Sequence, residues 1–416
     1  MKTSRISGFY KLTPEERLEI VKEFAGLSDE DTELLKKCKI GMDRANAMIE
    51  NVIGTFELPL GVATNFLIDG KDYLVPMVIE EPSVVAAASH GAKIARVKGG
   101  FRTYYTSSLM IGQIQVITEN PHSAKFEVLR CKDEIIEKAN ELESSIIRRG
   151  GGCKDLTVRV LDAKKPMLVV ELLIDVKDAM GANFVNSMCE HVAPLIAKIT
   201  GGRVLLRILS NLCIHRIAMA KAVFDKKAIG GEDIVEGIMD AYEFAKADIF
   251  RCATHNKGIM NGVCAVLIAT GNDFRAVEAA CHAYSAMKGY KPLTHYEVNE
   301  EGDLVGYIEL PLSVGVVGGV KANPLAEICL KILGVNSAEE LARVVASVGL
   351  AQNFAALRAL ATEGIQRGHM ELHARSLAIS AGAEGEEIDI VVEEMLKESK
   401  ISLSKAKEIL ERLRKA

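Results

Sequence analysis

Apolar residues follow two spacings along the chain, and these spacings separate predicted helices from predicted strands. Apolar positions three or four residues apart predict helices at residues 14–26, 124–149, 179–199 and 338–364. Short apolar runs between turn-forming residues predict strands at residues 112–117, 156–161, 168–176 and 204–209. Asp69 and Gly70 lie between two alternating apolar runs and predict a β-hairpin. The pattern therefore predicts an α/β (α+β) protein.

The order of these elements predicts how the chain divides into domains. Residues 99–211 read strand, helix, strand, strand, helix, strand, which is the ferredoxin-like arrangement. We predict a small ferredoxin-like domain at residues 107–211, inserted into a large mixed α/β domain formed by residues 1–106 and 212–366. Residues 367–416 predict a C-terminal helical unit with glycine hinges, which is either a mobile flap or a docked C-terminus.

Composition narrows the class of protein. The chain has 416 residues, 49% of them hydrophobic, which is enough for more than one core. A net charge of −5 gives no electrostatic case for binding nucleic acid or a membrane surface. Nine cysteines without a Cys-x-x-Cys pair favour a reducing compartment over a disulfide framework or a zinc site. No signal peptide and no uninterrupted apolar run of spanning length is evident, so we expect a cytoplasmic protein.

The stretch from residue 251 to residue 275 carries the first sign of chemistry. Lys257 follows His255 and Asn256 in what reads as a glycine-punctuated turn, and an apolar segment separates it from Asp273. If both charges are buried they must pair, because desolvation alone would neutralise each of them. Pairing would keep the lysine cationic and suited to stabilising an oxyanion. The alternative is that Lys257 and Asp273 both lie at loop ends in water.

Glu81 lies where a predicted strand runs into a predicted helix. Enzymes of the α/β class place reactive groups at such junctions, because the helix N-terminus and the loop backbone converge there. A proton-donating role for Glu81 would need burial or a coupled partner. The alternative is a carboxylate that only caps the following helix.

Residues 178–183, Asp-Ala-Met-Gly-Ala-Asn, follow a predicted buried strand and open a helix that carries Asn186. Small residues let a ligand approach the backbone, and the free amides of a helix N-terminus suit a pyrophosphate. The chain has no Gly-x-Gly-x-x-Gly and no Walker loop, so neither a Rossmann site nor a P-loop is predicted. The alternative is a small-residue junction that serves packing alone.

His369 and His373 are one helical turn apart, a spacing that can chelate a metal. Glu371 does not complete a His-Glu-x-x-His pattern, and no third ligand is evident. A metal-dependent hydrolase that uses these three residues is therefore an alternative function, which sensitivity to a chelator would reveal.

Six segments together resemble one family, 3-hydroxy-3-methylglutaryl-coenzyme A reductase of class II, the bacterial and archaeal type without a membrane anchor. In chain order they are Glu50-Asn-Val-Ile-Gly-Thr-Phe-Glu-Leu-Pro, Glu80-Glu-Pro-Ser, Asp178-Ala-Met-Gly-Ala-Asn, His255-Asn-Lys-Gly-Ile-Met-Asn-Gly, Thr270-Gly-Asn-Asp and Gly368-His-Met-Glu-Leu-His-Ala-Arg. The resemblance implies reduction of (S)-3-hydroxy-3-methylglutaryl-CoA to (R)-mevalonate and CoA by two hydride transfers through a mevaldyl-CoA hemithioacetal, or the reverse. The physiological direction stays open, and a non-catalytic acyl-CoA-binding protein is a further alternative.

The resemblance implies catalytic roles for four residues. Lys257 would stabilise the oxyanion, Asp273 would hold the lysine, and Glu81 would exchange a proton with the reacting oxygen. Asp273 would also share a proton with Glu81. His369, on mobile terminal helices, would protonate the departing CoA thiolate. No metal is implied.

For the substrate, the resemblance implies that Arg251 binds the free carboxylate, with hydrogen-bonding neighbours at Ser83, Asn211 and Asn261. It also implies a homodimer, or a trimer of dimers, with active sites between subunits.

For the cofactor, the resemblance implies a non-Rossmann site on the inserted domain. Its contact residues would be Asp178, Met180, Gly181, Ala182, Asn183 and Asn186. We expect NADH to be favoured, with NADPH possible, because Glu143 falls where NAD-preferring relatives carry an acidic residue that repels a 2′-phosphate. Arg148, Arg149 and Lys154 are close in sequence and would act in the opposite direction.

Overall fold

The computed structural model describes residues 2–37, 40–287, 289–319, 323–362, 365–398 and 400–415. Its side-chain description leaves out residues 365–372 and 415.

The strands form two separate sheets. They are β1 (Leu60–Ile68), β2 (Lys71–Val78), β3 (Phe101–Tyr105), β4 (Leu109–Ile117), β5 (Gly152–Leu161), β6 (Met167–Asp175), β7 (Arg203–Ser210), β8 (Ile217–Phe224), β9 (Thr294–Val298) and β10 (Leu304–Pro311). The large sheet has the order β2-β1-β3-β8-β10-β9, and the small sheet has the order β5-β6-β4-β7. The large sheet is mixed, because β1 and β3 run parallel while its other pairs are antiparallel.

Helices cover both sheets and form the C-terminal part. They are α1 (Pro14–Ala25), α2 (Asp29–Lys37), α3 (Met42–Met48), α4 (Val84–Ala95), α5 (Pro121–Arg130), α6 (Lys132–Asn140), α7 (Ser145–Arg148), α8 (Ala182–Thr200), α9 (Lys226–Ile229), α10 (Glu232–Ala247), α11 (Ile249–Ala269), α12 (Phe274–Ala286), α13 (Pro324–Leu333), α14 (Ala338–Ala361), α15 (Ile365–Ser380), α16 (Glu386–Lys397) and α17 (Leu403–Lys415). Two short 3-10 helices lie at Phe9–Lys11 and Arg96–Lys98.

The predicted hairpin is confirmed. Asp69 and Gly70 join β1 to β2 with Ile68 paired to Lys71, and their φ values are 48° and 81°. Two consecutive left-handed residues give the turn that matches the twist of antiparallel strands, which Asp-Gly forms at low cost. The hairpin brings the end of β2, and therefore Glu81, to the start of α4.

The small sheet has the predicted order of elements and is antiparallel throughout. α5, α6 and α8 pack on it over a buried cluster that includes Val170, Leu172 and Val185. The single helix predicted at residues 124–149 is instead three helices, α5 to α7. The separate sheets and cores support the predicted division into domains, which remains a prediction.

α14 is the central helix of the large core and packs on α11, α4 and β8. By length and composition alone it is apolar enough to cross a membrane, a test that buried core helices also pass. Its uncharged run, residues 344–357, is bounded by Arg343 and Arg358 and is shorter than a membrane span. Its most apolar window is 72% buried, as in a core helix of a folded domain.

The last three helices bury a cluster of their own. Ala374, Val391, Met395 and Ile409 are each at most 1% exposed within it. α15 also contacts α14, the helix that precedes it. This separate core supports the prediction of a C-terminal helical flap.

Candidate active site

Lys257 and Glu81 form an ion pair at the junction between β2 and α4. The Nζ atom of Lys257 donates to Oε2 of Glu81 across 2.9 Å. The lysine side chain is 58% exposed and the glutamate side chain 33%. A pair this exposed contributes little to stability. Its accessibility instead leaves both groups able to meet a ligand.

Lys257 lies in the middle of α11, and not in the glycine-punctuated turn predicted from the sequence. The prediction was wrong because the glycines of this stretch do not end the helix, and one of them, Gly262, serves helix packing. A Cβ on Gly262 would lie 3.0 Å from Cβ of Gln352 on α14, so glycine lets the two helices approach closely. The helix gives Lys257 a fixed direction, with Asn261 one turn later on the same face.

Two buried residues before Lys257 hold α11 in place. His255 is hydrogen-bonded through Nε2 to Oγ1 of Thr294 at 2.7 Å. Asn256 donates to the carbonyl of Lys291 at 3.2 Å and accepts from the amide of Leu293 at 3.0 Å. Because these partners lie on other segments, they fix the rotation of α11 about its axis and so the direction of Lys257.

The imidazole of His255 is neutral in the folded chain. Burial, together with a smaller effect of the nearby Arg251 guanidinium, lowers its pKa from 6.5 to about 3. His255 therefore adds no charge beside Lys257.

The loop that carries Glu81 has a left-handed residue. Ser83 is the N-cap of α4 with φ 73° and ψ −16°, a conformation that costs a non-glycine residue about 1 kcal/mol or more. Because Ser83 is the N-cap, Pro82 lies just before α4 begins. The turn redirects the chain between Glu81 and α4, at a residue predicted to bind substrate.

Asp273 does not contact Lys257 in the described part of this chain. Its Oδ1 atom accepts from the amides of Arg275 and Ala276, both at 3.1 Å, and so caps α12. The helix between Lys257 and residue 269 is about 18 Å long, which separates the two charges along α11. The expected buried pair of Lys257 and Asp273 is therefore not formed, and the partner of the lysine is Glu81.

The other predicted substrate residues are dispersed within one chain. Arg251 lies near the start of α11, where burial lowers its pKa from the ordinary value. Asn211 is exposed in the loop after β7. Among the described residues, no hydrogen bond joins Arg251, Asn211 or Asn261 to Lys257 or Glu81.

The segment at residues 178–181 fits the backbone of an anion-binding turn. Gly181 is the N-cap of α8 with φ 104°, and a Cβ there would lie 2.6 Å from Cγ1 of Val176. Glycine is thus required, and the first amides of α8 open towards the loop. Met180 and Ala182 are half-buried and Asn183 is exposed.

Two of the residues predicted to contact the cofactor also accept hydrogen bonds from other elements of the protein. Oδ1 of Asp178 accepts from the amide of Ala338 at 3.0 Å, at the start of α14. Oδ1 of Asn186 accepts from the amide of Leu209 at 2.9 Å, which ties α8 to β7.

The residues predicted to determine the preference for NADH or NADPH are exposed. Glu143 lies in the short connection between α6 and α7, and not on a helix as predicted. Arg148 and Arg149 are exposed at the end of α7. Lys154 donates to the carbonyls of Gly150 and Gly151 at 2.9 and 3.1 Å, which occupies its ammonium group.

The predicted metal pair falls partly outside the described side chains. His373 is exposed on α15, whereas the side chains of His369 and Glu371 are among those left out. Within the side chains that are described, no group of three or more metal-ligating residues occurs.

Arg216 was not predicted from the sequence. It is completely buried and donates to the carbonyls of Ala179 and Met180, in the candidate cofactor segment. Its sequence context, a basic residue before an apolar strand, gives no sign of this position.

The fold and the ion pair define this protein as an α/β enzyme that holds a fixed cation at a strand-to-helix junction. Residues 13–374 match the hydroxymethylglutaryl-coenzyme A reductase family. The chain belongs to that family.

Relatives with the same name support this assignment. The 3-hydroxy-3-methylglutaryl-coenzyme A reductase of Archaeoglobus fulgidus is 69% identical over 415 residues, which cover 99% of this chain and 95% of that protein. A solved structure of the reductase from Streptococcus pneumoniae is 41% identical, with a TM-score of 0.84 over 98% of this chain and 99% of that one. A structure of the class II enzyme from S. pneumoniae bound to NADPH in open conformations is also 41% identical, with a TM-score of 0.83 over 86% of this chain and 99% of that one.

Proposed function

We propose that this protein reduces 3-hydroxy-3-methylglutaryl-CoA to mevalonate and CoA, with two equivalents of reduced nicotinamide cofactor and two protons, or runs the reverse reaction. The observation that carries the proposal is the Lys257–Glu81 pair at 2.9 Å, in a chain that matches the reductase family over residues 13–374. The pair supplies a cation and a proton-exchanging group side by side.

Lys257 is the group that stabilises negative charge on the reacting oxygen. Such charge develops at the thioester carbonyl and again at the aldehyde that follows. His255 and Asn256 orient α11, and Glu81 contacts the ammonium group, which places the cation before charge develops. Glu81, in contact with the ammonium group, exchanges the proton with that oxygen.

His369 and Asp273, the two further catalytic residues, have different roles. His369 protonates the thiolate when the carbon–sulfur bond of the hemithioacetal breaks, which releases CoA as a neutral thiol. Asp273 holds Lys257 and shares a proton with Glu81 in the assembled site. Since Asp273 caps α12 and lies away from Lys257 in one chain, we propose that its contact with the lysine forms on substrate binding or across a subunit interface.

The cofactor binds at the segment of residues 178–183 and at Asn186. The glycine-dependent turn at Gly181 and the open amides of α8 fit its pyrophosphate. When bound, the reduced nicotinamide supplies the hydride for both reductions. NADH remains our preferred cofactor because Glu143 is exposed, while the S. pneumoniae structure contains NADPH, so both must be assayed.

Arg251 binds the free carboxylate of the substrate, with Ser83, Asn211 and Asn261 as neighbours. Its half-buried guanidinium has no carboxylate partner among the described residues, which leaves it available for one.

The assembled enzyme is a homodimer or a trimer of dimers. In the segment at residues 49–60, Ile53 is 101% exposed and Phe56 91% exposed in the single chain. Large apolar side chains exposed in one contiguous segment are typical of an interface. We also propose a reducing, cytoplasmic location, which the free cysteines among the described residues support.

The test is substitution at the ion pair. Lys257→Ala removes the cation and should lower kcat by about 10²-fold or more, and Glu81→Gln should lower it by a similar factor, as losses of an oxyanion donor or a proton donor do. The measurement is oxidation of NADH and of NADPH in the presence of 3-hydroxy-3-methylglutaryl-CoA.

The matched control is Lys226→Ala, which removes another partly exposed lysine–glutamate pair, with Glu232 at 2.7 Å. It should leave kcat unchanged. Wild-type kcat in a folded Lys257→Ala variant would sink the proposed role of the pair.

A further inference from the structure

Arg216 is the most unusual buried group outside the ion pair. It is 0% exposed, and in the described part of the chain it forms no ion pair with a carboxylate. Its Nε donates to the hydroxyl of Tyr105 at 2.8 Å, and one terminal nitrogen donates to the carbonyls of Ala179 and Met180 at 3.2 and 3.1 Å. The other donates to the carbonyls of Ala179 and Val314 at 3.2 and 2.5 Å. All five N–H groups therefore have acceptors.

A buried guanidinium without a carboxylate partner lowers stability unless its hydrogen bonds compensate. Burying an unpaired charge is strongly unfavourable unless hydrogen bonds replace its hydration. Here neutral oxygens supply those bonds, so the positive charge stays uncompensated beneath residues 179 and 180. The planar fork fixes two consecutive carbonyls of one loop in a single orientation, which a lysine cannot do.

The same loop is pressed against a second segment. A Cβ on Gly315 would lie 2.4 Å from the amide nitrogen of Met180, so only glycine allows the contact. The amide of Val316 donates to the carbonyl of Asp178 at 3.0 Å. Gly315 is in turn held by Asn272, which accepts from its amide at 2.8 Å and donates to its carbonyl at 3.2 Å. Asn272 directly precedes Asp273.

We propose that Arg216 is a positioning residue for the nicotinamide cofactor. It sets the backbone of residues 178–181 so that Gly181 and the first amides of α8 face the pyrophosphate, and its charge adds to the attraction for that anion. The contacts of Gly315 with Met180 and with Asn272 also join the cofactor segment to the segment that carries Asp273. The inference rests on the proposed function, since it specifies how that site is built.

The test measures binding directly. Dissociation constants of NADH, NADPH and 3-hydroxy-3-methylglutaryl-CoA are measured by calorimetry for the parent protein, Arg216→Lys, Gly315→Ala and Gly306→Ala, with circular dichroism to establish that each is folded. Arg216→Lys keeps the charge and loses the fork. Gly315→Ala displaces the same loop while the arginine side chain itself is retained.

Gly306→Ala is the control for crowding alone. A Cβ there would lie 2.8 Å from the ring of Tyr296 in the large sheet, which is also too close, but it would meet no atom of the cofactor segment.

We expect Arg216→Lys and Gly315→Ala to raise the dissociation constant of the preferred nucleotide about tenfold or more, since a small displacement of a binding backbone has effects of this size. The dissociation constant of 3-hydroxy-3-methylglutaryl-CoA should stay within about twofold of the parent value in both variants. For Gly306→Ala, the dissociation constants of all three ligands should stay within about twofold.

Two results would overturn the inference while leaving the function intact. Either both variants bind the nucleotide as the parent does, or they lose nucleotide and acyl-CoA equally, as a general loss of structure would cause. A parent protein that binds neither nucleotide would overturn the proposed function itself.

Discussion

At the scale of single residues, the direction of Lys257 depends on two buried neighbours in α11. His255 and Asn256 are 2% and 0% exposed, and both hydrogen-bond to segments far away in the sequence. Buried side chains that hydrogen-bond to distant segments favour one arrangement of the elements that they join. Lys257 therefore takes its direction from the core.

His255 should make stability depend on pH. Its pKa is about 3 in the folded chain and 6.5 when unperturbed, so below 6.5 the unfolded chain binds a proton that the folded chain does not. The stabilisation is complete above 6.5 and is lost as pH falls towards 3. Urea unfolding at pH values within this window should show a steeper decline of the unfolding free energy in the parent than in His255→Gln.

The control is His122→Gln, which removes an exposed histidine and should leave the slope unchanged. Identical slopes for the parent and His255→Gln would contradict the assignment of a neutral, buried imidazole.

At the scale of elements, α15 is the helix on which the second half of the proposed chemistry depends. It carries His369 and His373 and packs with α16 and α17 over a separate buried cluster. A unit with its own core can move as a body without losing its structure.

His369→Gln should impair the thioester substrate selectively. Reduction of 3-hydroxy-3-methylglutaryl-CoA needs a protonated leaving thiolate, and loss of a general acid costs about 10²-fold or more. Reduction of free mevaldehyde releases no thiolate, so its rate should change little. The two rates are compared by nicotinamide absorbance, with His373→Gln as the control on the same helix. Equal losses with both substrates would refute the role.

Local signals in the sequence predicted the elements well and their environment poorly. The hairpin at Asp69 and Gly70 and the strand order of the small sheet follow from turn chemistry and apolar runs. The residues of the ion pair, Glu81 and Lys257, were also identified from their types and positions. Their pairing with each other was not, because it depends on how α11 packs against β2, a contact between distant segments.

There is also a physical reason why the sequence predicted a turn at Lys257, where the structure has a helix. Gly258 and Gly262 lower helix propensity and so suggest a turn, but packing against α14 outweighs about 1 kcal/mol per glycine. Arg216 could not be found at all, because nothing in its local sequence distinguishes a buried clamp from a surface arginine.

At the scale of the whole molecule, the two sheets are joined where the chemistry is proposed. Gly315, just after β10 of the large sheet, meets the segment between β6 and α8 of the small one. The segment proposed to bind the cofactor is thus connected, through Gly315 and Asn272, to the segment that carries Asp273. The exposed segment at residues 49–60 extends that arrangement to a second subunit in our proposal.

The most direct test of the central claim is the stoichiometry of the reaction. Purified protein is mixed with 3-hydroxy-3-methylglutaryl-CoA and either NADH or NADPH, with and without a chelator, and nucleotide oxidised is measured against CoA thiol released. We predict two nucleotides oxidised per CoA, unaffected by the chelator. Release of CoA without oxidation of either nucleotide, or activity abolished by the chelator, would contradict the account and favour a metal-dependent hydrolase.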